Sequence, residues 1–137
     1  MLTRTLITVG FGAALVTACT SSAAINHRAI KHGQGIYLKE CAQCHGITGE
    51  GGGAASLGLG DAPPNLTMLS AGNGGVFPHE FVRRYVLGLI EKTDPDAAMP
   101  EFAKTGLSHV YPNGGSDGES LEVDFTDLLD YLETLQK

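Results

Sequence analysis

Cys41-Ala42-Gln43-Cys44-His45 is the stretch on which the reading of this chain turns. It sets two thiols a turn of helix apart and follows the second directly with an imidazole. A dithiol redox pair of thioredoxin type wants a βαβ setting, and no strand-rich pattern surrounds the motif. A structural zinc site wants a second pair of Cys or His ligands, but the only other cysteine is the distant Cys19. The remaining chemistry is covalent attachment of a c-type haem. Each thiol adds to one haem vinyl group as a thioether, the two-residue gap matches the vinyl separation, and the adjoining His falls under the iron as proximal ligand. One such string implies one haem per chain, held by Cys41 and Cys44 with His45 on the iron.

Upstream of the motif the chain has a different character. Met1 to Ala18 carries Arg4, then an apolar run from Leu6 to Val16, then small residues, which is the layout of a bacterial export signal. The run is too short to span a bilayer comfortably. Val16-Thr17-Ala18-Cys19 resembles the lipobox of bacterial lipoproteins, in which the Cys becomes the new N-terminus and carries the lipid. Acylation would also remove an unpaired thiol from an oxidising compartment. Ordinary cleavage, for instance after Ala24, is the alternative. The expected organisation is an export signal over 1–18, a polar tether over 19–26 and one domain over 27–137. The location expected is the periplasmic side of a bacterial membrane, lipid-anchored through Cys19, or soluble periplasm if Cys19 is not acylated.

The 137 residues allow one compact domain. Hydrophobic content of 42% is ordinary, but 19 glycines and no tryptophan imply much loop and a thin protein core, which a bound cofactor would fill. A formal charge of -6 argues against nucleic acid as a partner, since phosphate binding needs clustered Lys and Arg. The acid concentrates late: between Glu91 and Lys137 stand eleven Asp or Glu against three lysines. A basic docking partner or simple solubility accounts for it.

From His27 to Gln136 the chain resembles the class I cytochrome c family. Gly33 and Tyr37 lie eight and four residues before Cys41, on one helical face, where the family places a small residue and an aromatic. In Phe125-Thr126-Asp127-Leu128-Leu129-Asp130-Tyr131-Leu132 the apolar residues recur at helical spacing. Leu128 and Tyr131 stand where the family packs its last helix across the first, and a glycine at Gly33 would let the two approach closely. Pro64-Asn65-Leu66 matches the family's loop after the motif. By that resemblance the Pro64 carbonyl accepts the proton of the proximal His, fixing its tautomer, and Leu66 packs on the haem edge. A middle helix is expected from Pro78 to Ile90, with Phe81, Val82, Tyr85, Val86 and Leu89 as core or haem wall. Arg83 and Arg84 are either propionate partners or a solvated basic pair. The fold implied is all-α: three main helices around one covalently bound haem, with long loops.

Met99 in Asp96-Ala97-Ala98-Met99-Pro100-Glu101-Phe102 resembles the family's methionine loop and is the expected sixth ligand. A thioether there favours reduced iron and raises the potential relative to His. Met68, His79 and His109 are the alternatives, while His27 and His32 read as surface imidazoles. Between Lys104 and Glu122 the chain departs from the compact family pattern with a turn-rich polar stretch, expected to be an inserted surface loop. With both axial positions filled, the function implied is electron carriage rather than catalytic turnover. Redox proteins would be the partners: a dehydrogenase, an oxidase or another reductase. Two other readings stand beside it: a haem c subunit of a larger oxidoreductase complex, and a gas-binding sensor if Met99 is not a firm ligand.

Overall fold

The computed structural model describes residues 18–91, 98–111 and 118–137, with side-chain detail over 26–91, 98–111 and 121–137. The expected export signal over 1–18, apart from the backbone of Ala18, lies outside these, as do the Cys19 side chain and residues 92–97 and 112–117. The described residues form helices and loops with no strand. Six α-helices follow in order: α1 (Ala18–Glu40), α2 (Ala42–His45), α3 (Leu69–Gly72), α4 (His79–Leu87), α5 (Phe102–Thr105) and α6 (Gly118–Thr134). Single 3₁₀ turns cover Ala54–Ser56 and Leu66–Met68. The backbone of 19–26, expected as a tether, continues α1 without a break. No described helix is long and apolar enough to cross a membrane.

Two helices make the frame because each carries an apolar stripe at three- and four-residue spacing. On α1 the stripe is Ile30, Gly33, Ile36 and Tyr37; on α6 it is Leu121, Phe125, Leu128, Leu129 and Leu132. Where the stripes cross, a Cβ built on Gly33 would stand 1.9 Å from the carbonyl oxygen of Asp127. No side chain fits there, so the backbones touch, and the Tyr37 and Tyr131 rings meet one turn further on at 5.4 Å between centroids. Phe77, Val82, Val86, Phe102 and Leu107 complete the core around this crossing.

Two expectations need correction. The middle helix is shorter than 78–90, because Gly88 adopts a left-handed conformation and the N–H groups of Gly88 and Leu89 turn back onto the Tyr85 and Arg84 carbonyls. Its stripe divides: Val82 and Val86 are buried in the core, whereas Phe81 and Leu89 are each 54% exposed. The 104–122 stretch is not simply a surface loop. It leaves α5 and drives Leu107 into the core at 1% exposure, and α6 has already begun at Gly118. An apolar residue at that point anchors a segment that polar composition alone suggested was free.

The crossing yields a test. Gly33→Ala should cost about 3 kcal/mol or more of unfolding free energy, because the added methyl must push two backbones apart, while an Ala at Gly35, whose Cβ would meet nothing within 4 Å, should not destabilise. Denaturant midpoints of the two variants decide it.

Candidate functional site

The Cys41-to-His45 stretch sits at the end of the frame. Cys41 bonds back through its N–H to Tyr37 O at 2.9 Å, and its own carbonyl accepts from the N–H groups of Cys44 and His45, so both thiols lie on one turn of helix. Neither is in a disulfide. Burial, then the Glu40 carboxylate, then Cys44 push the Cys41 thiol up to about 12. A dithiol oxidoreductase lowers the pKa of its attacking thiol, so this environment is the opposite of what that chemistry needs.

His45 is 6% exposed. Its Nδ1 lies 3.1 Å from the Pro64 carbonyl oxygen. A carbonyl can only accept, so Nδ1 carries the proton and Nε2 presents its lone pair. Burial lowers the imidazole pKa, with the Pro64 bond pulling less strongly the other way, and the ring is neutral and ready to ligate. Sequence reasoning had brought Pro64 to this ring only by resemblance; the structure brings the two together.

The loop that delivers Pro64 is stiff. Gly46 closes α2 at φ 74, with its carbonyl accepting from the Tyr37 hydroxyl at 2.6 Å. A Cβ on Gly46 would meet Gly51 O at 2.4 Å, so a left-handed glycine is required where the chain folds back. Burial, with lesser effects from Cys41 and Tyr131, raises the Tyr37 pKa far above its ordinary value and keeps that hydroxyl a donor. Gly51 N–H then returns to His45 O, Gly53 N–H to Cys44 O, and Leu66 N–H to Gly49 O at 2.7 Å. Asn65 Oδ1 accepts from both the N–H and the hydroxyl of buried Thr67. Leu66 is half-buried against the core.

Residues with no sequence signal of their own hold this loop from outside. Gln136 donates through Nε2 to Leu66 O at 2.9 Å and accepts through Oε1 from Ser70 N–H at 2.9 Å, and Lys137 N–H donates to Thr67 O. Lys137 also pairs with Glu50.

The candidates for the sixth position differ in setting. Met99 is half-buried and packs against the core. Met68 is 47% exposed. His79 Nε2 is taken by Glu133 at 2.9 Å, and His109 Nδ1 by Glu40 at 2.7 Å. His32 lies 2.8 Å from Asp127. Arg83 pairs with Glu122 at 2.7 Å, which commits it to α6. No group of three or more His, Cys, Asp or Glu side chains that could hold a metal ion occurs among the described residues.

The donor set fits a covalently held haem. Two unpaired thiols share a turn with a neutral, buried imidazole whose tautomer is fixed, and that pattern suits thioether formation and iron ligation rather than metal chelation or disulfide exchange. No curated protein and no solved structure matches the chain. A family model does, over residues 28–110, which takes in the motif, the Pro64 loop, α4 and the Met99 segment. The chain therefore belongs to the family described as cytochrome c oxidase, cbb3-type, subunit III, and is a c-type cytochrome domain of all-α fold.

Proposed function

We propose that this protein carries electrons through one haem c, bound through Cys41 and Cys44 and ligated by His45 and Met99. The observation that carries the reading is the His45–Pro64 bond beside two unpaired thiols, in a chain whose family implies covalently bound haem and electron transfer. When bound, the haem supplies a one-electron Fe(III)/Fe(II) couple. The chain's own residues do the rest. Pro64 holds the His45 proton on Nδ1, which directs Nε2 to the metal and strengthens it as a donor. Tyr37 and Gly46 fix the turn that seats the motif, and Gln136 keeps the Pro64 loop from drifting. Phe81 and Leu89, both exposed, would offer apolar wall to the haem, and Leu66 apolar edge. Met99 would supply the second protein ligand to the iron, and with both ligands drawn from the chain the group would exchange electrons rather than bind substrate.

The family description names an oxidase subunit, which favours a terminal oxidase or related redox complex as the electron partner over a freely diffusing dehydrogenase shuttle. The setting that suits this role is the periplasmic side of a bacterial membrane, with Cys19 carrying a lipid. Cys19→Ser should release the protein from the membrane fraction with its haem spectrum unchanged; a variant that stays membrane-bound would remove the lipid from the account.

Visible spectra of the exported, haem-loaded protein test the reading directly. A reduced spectrum indifferent to carbon monoxide, with a sulfur-to-iron band in the oxidised form, is the expected result, and a chain without covalent haem would overturn it. Met99→Ala should keep the haem, lose that band and bind carbon monoxide. Cys41→Ala with Cys44→Ala should give a haem-free chain of weakened tertiary structure, visible as loss of near-ultraviolet dichroism and a lower thermal midpoint.

A further inference from the structure

Glu40 ends α1 and stands next to Cys41, and its side chain is 2% exposed. A buried carboxylate is costly unless its oxygens are satisfied. Among the described residues three donors reach it, all from one place 69 and 70 residues away: the His109 N–H at 2.6 Å, the His109 Nδ1 at 2.7 Å and the Val110 N–H at 3.0 Å. Backbone N–H groups bound to a carboxylate make charge-assisted bonds, stronger than neutral ones. Val110 and Tyr111 also turn back onto the Leu107 carbonyl, and Leu107 is itself in the core.

His109 and Val110 lie in the same segment as Met99, ten and eleven positions after it. Its other fixed points are known. Glu101 lies against Gly88 at the end of α4, where a Cβ on the glycine would meet the Glu101 side chain at 2.6 Å. Phe102 sets its ring edge-on to Phe125 of α6, 6.2 Å between centroids. The segment is thus fastened to α4 and α6 near Met99 and, further along, to α6 again through the Tyr111 bond to Asp124 and to α1 through Glu40. Because Glu40 adjoins the first attachment cysteine, this bond joins the thioether side of the site to the segment that carries the thioether ligand.

We propose that Glu40 is a positioning residue for the sixth ligand: it anchors the Met99 segment to the attachment helix, and the firmness of the Met99–iron bond depends on it. The inference rests on the Met99 assignment made above. Glu40→Ala would leave three donors without their acceptor and remove this tie of the segment to α1, while Glu40→Gln would keep one oxygen to accept the backbone N–H groups and lose the charge.

The experiment uses the haem-loaded full chain and compares wild type, Glu40→Ala, Glu40→Gln and a control, Ile30→Ala, which removes apolar contact from α1 well away from the motif. Three quantities are read: the oxidised sulfur-to-iron band, the rate at which reduced protein takes up carbon monoxide, and the thermal midpoint. Glu40→Ala should weaken the band and bind carbon monoxide about tenfold faster or more, with Glu40→Gln between it and wild type. Ile30→Ala should lower the midpoint with the wild-type band and rate. Wild-type carbon monoxide behaviour in both Glu40 variants would overturn the proposal, as would an Ile30→Ala variant that reproduces their reactivity. If Glu40→Ala does not retain haem, Glu40→Gln alone decides by the same two criteria. A wild-type protein that already binds carbon monoxide freely would instead overturn the Met99 assignment, and this role with it.

Discussion

The contact between the α1 and α6 backbones at Gly33 and Asp127 sets the position of nearly everything else. With no side chain between them, the helices approach closely enough for Tyr37 and Tyr131 to meet, and burial of Tyr37 aims its hydroxyl at Gly46 O. That bond seats the turn after the attachment motif, and the turn starts the loop that returns with Pro64. A chain of contacts therefore runs from a helix crossing to the tautomer of one imidazole. The later links use polar groups, the Tyr37 hydroxyl and the His45 ring, that burial makes costly to leave unpaired.

Charge is organised around the same frame. The acidic late half of the sequence is not a bare negative surface among the described residues. Asp127, Glu122 and Glu133 each have a basic or imidazole partner on α1 or α4. These exposed pairs add little to stability individually, but they lay α6 onto both of its neighbours. Asp124 is different: it is buried, has one oxygen without a hydrogen bond, and lies 3.7 Å from His32. Its closeness to Tyr111 raises the pKa of that phenol and keeps it protonated.

Much of this was legible in the sequence where a residue type has few uses. A C-x-x-C-H string admits little besides haem attachment, and a glycine with a tyrosine four residues on, facing an apolar helical repeat, describes a crossing. The end of the middle helix was misplaced because apolar spacing continued past Gly88, while the backbone there was free to turn. Leu107 was hidden within a polar stretch, where one buried side chain changes the course of the chain without altering its composition. Glu40 and Gln136 carried no signal at all: their roles are made by partners 66 to 70 residues distant, and spacing along one helix cannot report such contacts.

The latch of Gln136 and Lys137 on residues 66–70 also reaches the imidazole. The Pro64 carbonyl that orients His45 sits in a loop closed by groups about 70 positions downstream. Closure over so long a span has an entropic cost that the contacts must offset. Gln136 and Lys137 are therefore part of the support of His45, acting on it through the backbone of residues 64–67.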